Sequence, residues 1–212
     1  MGPKVAGAVK LEAVDLKTTF KMGAVESMYG GSGYKAKVLP RMEIVLPPLR
    51  VPWKVEAKAW QGQGEATAKA AVTVTDEAVS ALLLTVDTAA KRTLGKHMAE
   101  FFPDQRKRPT NLESVFNPAV AGGDGDYEPV FKARLKVKEG MIETPLFHLE
   151  TKELLDANVQ LEKGALVTLV VTPLHVYAMK GGCGVTWSVV RMGLAGFASE
   201  VQPQYDFGSQ AE

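Results

Sequence analysis

Apolar and polar residues alternate one by one along most of this chain, and the period changes only once. "VKLEAVDLK" from Val9, "YKAKVLPRMEIVL" from Tyr34 to Leu46, "WKVEAKAW" from Trp53 to Trp60 and "ATAKAAVTVT" up to Thr75 carry this alternation. It is the period of a strand with one face in a core. Gly30, Gly31, Gly33, Pro47, Pro48, Gly62 and Gly64 punctuate these segments as turns. Past Thr75, apolar residues recur at Val79, Leu83, Val86, Ala90, Leu94, Met98 and Phe101. That spacing predicts a helix over about residues 76–102, with Thr75 as N-cap, Asp76 and Glu77 in the first turn and Pro103 at its end. Its apolar stripe reads as a face turned to the core.

A long polar loop follows, "PDQRKRPTNLESVFNPAVAGGDGDYEP", which carries Arg106, Lys107 and Arg108. A loop of this length is expected on the surface, where it can order on a partner. "TPLFHLE", "GALVTLVVTPLHVYAMK" and "CGVTWSVVRM" then return to strands, the last two joined at Gly181 and Gly182 as a long hairpin. Pro173 lies inside the first hairpin strand and predicts a bulge or an edge there. The fold class expected is mainly β with one long helix, forming a single domain over 1–198 and a flexible, mildly acidic tail over 199–212 with Glu200, Asp206 and Glu212.

One segment departs from ordinary alternation. In "FKARLKVK", residues 131–138, a strand would put Phe131, Ala133, Leu135 and Val137 on one face and Lys132, Arg134, Lys136 and Lys138 on the other. Lysines on a solvated strand also discourage edge pairing. Four cations with no acid among them go beyond that use, and the more so in a chain whose net charge is +1.

Composition excludes more than it assigns. At 212 residues, 46% hydrophobic and 23% charged, the chain is of ordinary globular make-up, and no apolar run is long enough for a membrane span. The start shows no secretory signal, and Ala6 stands where N-myristoylation wants Ser or Thr, so an unsecreted, intracellular protein without a membrane partner is expected. The single cysteine, Cys183, forms no internal disulfide and has no evident base beside it. His97, His148 and His175 have no partners at metal-ligand spacing. In "GDGDYE", Asp124, Asp126 and Glu128 resemble the start of a calcium loop, but Pro129 stands where that loop needs Gly, leaving a solvated acidic turn. "YGGSGYK" lacks the lysine-serine ending of a phosphate loop. No catalytic residue, cofactor or metal is expected, and the chain reads as a non-enzyme.

Cations and aromatics together suggest a ligand. Binding a single nucleic-acid strand without regard to sequence takes a positive groove for the phosphates and rings on which bases stack. Small barrels of the oligonucleotide-binding (OB) type supply both. Lys132, Arg134, Lys136 and Lys138 are candidates for the groove, with Arg106, Lys107 and Arg108 on the neighbouring loop. On the first hairpin strand His175, Tyr177 and Met179 alternate with Leu174, Val176 and Ala178. Tyr177, near Lys180, is the stacking candidate, whereas Trp187 between Val185 and Val189 reads as core.

The order "YKAKVLPRMEIVL", a helix-bearing insertion, "VFNPAVAGGDGDYEPVFKARLKVKEG", "LFHLETKELLDAN", "LEKGALVTLVV" and "GCGVTWSVVRM" resembles the single-stranded DNA-binding proteins of large nucleocytoplasmic DNA viruses of algae and amoebae. Those are similar to the single-stranded DNA-binding proteins of short-tailed phages. The resemblance spans roughly 29–194, and its most specific part is the Gly184–Trp187 strand. It implies an OB-type barrel with a helical insertion and a role in viral DNA replication or recombination, in the host cytoplasm or nucleus. By position, Lys132 to Lys138 with His175 and Tyr177 would face the DNA. The phage members end in a strongly acidic tail with a terminal aromatic that recruits replication proteins. Here Tyr205 and Phe207 stop short of the end. Single-stranded DNA is the expected partner, replication proteins through the tail and self-association are left open, and a structural β-sandwich protein of a virion or assembly is the alternative.

Overall fold

The computed structural model describes residues 20–28, 32–59, 66–122 and 128–197. The strand expected from Val9, Trp60, the glycines at 30, 31, 62 and 64, Asp124, Asp126 and the tail over 199–212 lie outside the described residues. Ahead of the helix run β1 (Lys21–Met28), β2 (Gly33–Leu39), β3 (Ile44–Val45), β4 (Leu49–Arg50), β5 (Lys58–Ala59) and β6 (Ala66–Thr73). Helix α1 (Glu77–Lys96) and the short α2 (Met98–Phe101) lead into β7 (Phe116–Asn117), β8 (Val120–Ala121), β9 (Val130–Leu135), β10 (Val137–Lys138) and β11 (Met141–Ile142). The chain continues through β12 (Leu146–His148), β13 (Leu154–Leu155) and α3 (Ala157–Gln160) into β14 (Ala165–Met179) and β15 (Gly182–Phe197).

The hairpin of β14 and β15 is the spine. Its first strand is dense in Val and Leu, the residue types that fit a surface buried on both faces, and Val167, Leu169 and Val171 are buried. Lys180 and Gly181 turn the chain, and Gly182 leaves the turn at φ 136°, a conformation that glycine adopts without steric cost. β14 changes neighbours along its length: Val170 and Val171 pair with β3, whereas His175 to Met179 pair with β2. Pro173 sits at that change, where it has no N–H to withhold from a ladder, and the register with β15 shifts between Pro173 and His175. The bulge expected from Pro173 is therefore present.

β15 pairs in parallel with β9 at Ser188 and Arg134, and β6 runs antiparallel to β9 from Ala68 opposite Leu135 to Thr73 opposite Val130. The main path is β1-β2-β14-β15-β9-β6-β5. The fold is mainly β with one long helix inserted between strands, and among the described residues the main sheet path ends at β1 and β5 without closing into a barrel. Among the described residues no helix is long and apolar enough to cross a membrane.

Helix α1 keeps the expected stripe, with Val79, Leu83, Val86, Ala90 and Leu94 buried. Its cap is Asp76 rather than Thr75, because the Asp76 carboxylate accepts the Val79 N–H at 3.0 Å. The helix stops at Lys96, short of the expected end, and Met98–Phe101 forms a separate turn after His97. Under the sheet, Phe131 meets Trp187 edge to face at 5.4 Å, and Trp187 is the core residue the sequence suggested.

Strand β9 ends sooner than the alternation of "FKARLKVK" implies. The Lys136 N–H goes to Thr144 Oγ1 at 2.7 Å instead of a ladder carbonyl. Val137 and Lys138 then pair with Met141 and Ile142 in a separate two-stranded sheet, around Glu139 at φ 51° and Gly140 at φ 79°. The cationic ridge is thereby cut in two, with Lys132 and Arg134 on the main sheet and Lys136 and Lys138 on a side hairpin.

Candidate nucleic-acid interface

Lys132 and Arg134 project from the outer face of β9, opposite the buried Phe131, Ala133 and Leu135. Register brings other cations to the same face. Lys69 on β6 lies directly opposite Arg134, and Ser188 on β15 adjoins Arg134 from the other side. Across the hairpin, β2 sets Lys37 against His175 and Lys35 against Tyr177. Lys35, Lys69, Lys132, Arg134, His175 and Tyr177 line one groove of about 310 Å³, with Met28, Met179 and Thr186 also in its wall. Residues directly opposite in antiparallel strands share a face, so this clustering follows from pairing and not from closeness in sequence.

Tyr177 is held in place. Its hydroxyl accepts a hydrogen bond from Asn117 Nδ2 at 3.2 Å. The ring passes over Gly184 on β15, where a Cβ would stand 3.2 Å from the hydroxyl oxygen. Burial lowers the pKa of His175, and Lys35, Lys37 and Arg134 lower it further against the opposing pull of Glu26. Glu26 lies opposite Lys35 on β1 and marks the acidic rim of the groove.

Among the described residues, Lys35, Lys37, Lys69, Lys132 and Arg134 enter no salt bridge. Several cations outside the groove are ion-paired, although Lys138, Arg106 and Lys180 also enter no salt bridge among the described residues. Lys136, by contrast, is bound to Glu143 at 2.6 Å, and that ammonium holds the carboxyl below its usual range. Lys107 pairs with Asp104 at 3.0 Å, and Arg108 Nε donates to the Phe102 carbonyl at 2.8 Å. Arg106 is exposed on the one-turn helix Gln105–Lys107. Lys107 and Lys180 border a different, more apolar cavity of about 480 Å³ whose walls include Tyr34, Phe101 and Phe102.

Of the residues singled out from sequence, the structure thus brings together Lys132, Arg134, His175 and Tyr177, while Lys136, Lys138, Lys180 and the 106–108 cations lie elsewhere. Sequence reasoning missed Lys35, Lys37 and Lys69. Lys35 and Lys37 alternate with Ala36 and Val38 just as Lys132 and Arg134 alternate with Ala133 and Leu135, and that repeat was the available signal. Cys183 is buried in β15, where desolvation pushes its thiol up to about 11 and its Sγ lies 3.7 Å from the Val115 carbonyl. A thiol held in that protonated form is a poor nucleophile.

No protein-family model matches the chain, and no curated protein matches it. Among solved structures it is similar to the single-stranded DNA-binding protein of bacteriophage Enc34 in complex with single-stranded DNA, at 13% identity and a TM-score of 0.43, over 82% of this chain and 94% of that one. A second structure of the Enc34 protein gives 14% identity and a TM-score of 0.48, over 87% of this chain and 95% of that one. Both neighbours are phage proteins, and neither comes from the large nucleocytoplasmic viruses of the sequence resemblance. Likenesses this distant assign no function, which has to be argued from the groove.

Proposed function

We propose that this protein binds single-stranded DNA, without enzymatic activity, along the groove between β2, β14, β9 and β6. The observation that carries the reading is the gathering of Lys35, Lys37, Lys69, Lys132 and Arg134, which enter no salt bridge among the described residues, on the face that also presents Tyr177 and His175, with Glu26 set opposite Lys35 at its rim. Like charges gathered on one face repel one another, and a polyanion laid along them would relieve that repulsion. Phosphates would run along the cations, and unpaired bases would stack on Tyr177. Duplex DNA hides its base faces and would gain only the ionic part.

The finer reading is a role in viral DNA replication or recombination, in a single OB-like unit allied to the phage and large-virus proteins. The test is a titration of labelled oligo-dT and of a duplex of equal length at two salt concentrations. The single strand is expected to bind more tightly, with an affinity that falls steeply as salt rises. Salt-independent or duplex-preferring binding would reject the groove and leave the structural β-sandwich role in its place.

A further inference from the structure

We infer that Trp53 is a second stacking site, taking an unpaired nucleobase at the end of the groove remote from Tyr177, with that nucleotide's phosphate on Lys132. The inference rests on the single-strand reading above and extends it to a residue outside the groove lining. Trp53 is 44% exposed, a large apolar ring left in water. The Lys132 ammonium stands 5.4 Å from the centre of that ring, and Lys132 also lines the groove. One lysine therefore joins the ring to the row of cations.

The backbone explains how the ring comes to be there. Ala71 and Thr73 belong to the same face of β6 as Lys69, yet both are buried. Thr73 Oγ1 donates to the Arg50 carbonyl at 3.3 Å, so the segment leaving β4 crosses that end of the face. The segment is then fastened on either side of the tryptophan. Val51 N–H donates to the Ala165 carbonyl at 2.8 Å, and Val55 N–H donates to the Leu161 carbonyl at 2.9 Å. Lys54 is tied to Glu162 at 2.7 Å. With Val51 and Val55 buried and the chain bent at 53, the indole is carried outward on a fixed support. A ring fixed in this way gives up little conformational entropy when a base stacks on it. Beyond it, Lys58 lies opposite Thr67, on the face of β6 that carries Lys69, and continues the positive path.

In the bound state a base takes the ring face, and Lys132 moves from the ring to the phosphate. The test compares the full chain with Trp53→Ala and Trp53→Phe, using oligo-dT of about 16 nucleotides, the long end of OB-type sites. Trp53→Ala is expected to weaken binding about five- to 150-fold, and Trp53→Phe is expected to retain most of the affinity. Indole quenching on DNA addition should fall in Trp53→Phe, since Trp53 is 44% exposed whereas Trp187, although part of the groove wall, is 3% exposed. Should Trp53→Ala fail to fold, the quench decides alone: a reduced quench in Trp53→Phe supports the site, and an unchanged one overturns it. A folded Trp53→Ala that binds as tightly as the unsubstituted protein also overturns it. If the unsubstituted protein binds no oligo-dT, the groove reading falls first and this one with it.

Discussion

Tyr177 lies across Gly184: a Cβ built at Gly184 would stand 3.4 Å from the ring carbon Cε1 and 2.8 Å from the Asn117 carbonyl oxygen. The glycine in the closing Gly-Val-Thr-Trp strand is therefore the floor beneath the Tyr177 ring, a place where a side chain cannot stand.

Gly184→Ala is accordingly expected to damage both stability and binding. The backbone oxygen of Asn117 cannot swing aside as a side-chain end would, so overpacking of about 1–3 kcal/mol is expected. The displaced ring loses its hydrogen bond to Asn117. Chemical denaturation together with oligo-dT titration checks this, and an alanine variant with normal stability and normal affinity would show that the close fit has no role.

His175 supplies a pH signature. Burial, then Lys35, Lys37 and Arg134, hold its pKa below the ordinary 6.5, with Glu26 acting in the opposite sense. Because the folded pKa is depressed, this histidine favours folding above pH 6.5, and that contribution is lost as pH falls through the folded value. DNA phosphates would offset the lysine field and raise the pKa, so binding takes up a proton. Affinity should therefore increase as pH drops from about 7.5 to about 5.5, and His175→Gln should flatten that part of the profile. A profile unchanged by the substitution would place His175 away from the phosphates.

Asp87 on α1 gives the opposite sign. It is buried, and its Oδ2 accepts the Ala119 N–H at 2.8 Å while its Oδ1 has no hydrogen-bond partner among the described residues. Desolvation raises its pKa from 3.8 to about 6, against smaller opposing effects of that hydrogen bond and of Lys91. A raised carboxyl pKa favours folding below about pH 4 and loses that benefit as pH climbs through about 6, a swing of up to roughly 3 kcal/mol. Asp87→Asn keeps an acceptor for Ala119 and removes the swing. It should be the more stable protein at neutral pH, with the gap closing in acid, as urea denaturation at the two pH values would reveal; equal stability at both would mean that the carboxyl is solvated.

How much of this was legible in the sequence depends on how local each feature is. The alternation in "FKARL" gave Lys132 and Arg134 their face because five residues of one strand decide it. Lys136 and Lys138 were misplaced with them, since the break comes from Thr144 capturing the Lys136 N–H from eight residues away. Lys35 and Lys69 join the groove through pairings with Tyr177 and Arg134, which no window of sequence contains. Trp53 was hidden by a wrong element: "WKVEAKAW" alternates like a strand, but among the described residues only Lys58–Ala59 pairs, and the tryptophan sits at a bend anchored by Leu161 after α3 and by Ala165 of β14. Helix α1, whose period is its own, was read almost to its ends.

The division of the cations between the groove face and the side hairpin yields the sharpest comparison. Lys35 and Lys37 face Tyr177 and His175, whereas Lys136 is held by Glu143, and Lys138 shares its side hairpin. All four are surface lysines, and none contributes to the core. Changing either pair to alanine should shift stability by only about half a kcal/mol per site. Their effects on binding should differ. For a single strand, each phosphate neutralised contributes about 0.7 to the slope of log affinity against log salt. Lys35→Ala with Lys37→Ala should lower that slope by roughly 1.4 if each lysine holds one phosphate, and should weaken binding most at low salt. Lys136→Ala with Lys138→Ala should leave the slope nearly unchanged, because neither lysine lines the groove and the Glu143 carboxylate already occupies the Lys136 ammonium. Tyr177→Ala completes the set: it removes about 1–3 kcal/mol of stacking while keeping the slope. If the hairpin pair lowered the slope as much as the β2 pair did, the strand would have to pass over the side hairpin, and the groove drawn through Lys35, Lys69 and Arg134 would be the wrong path.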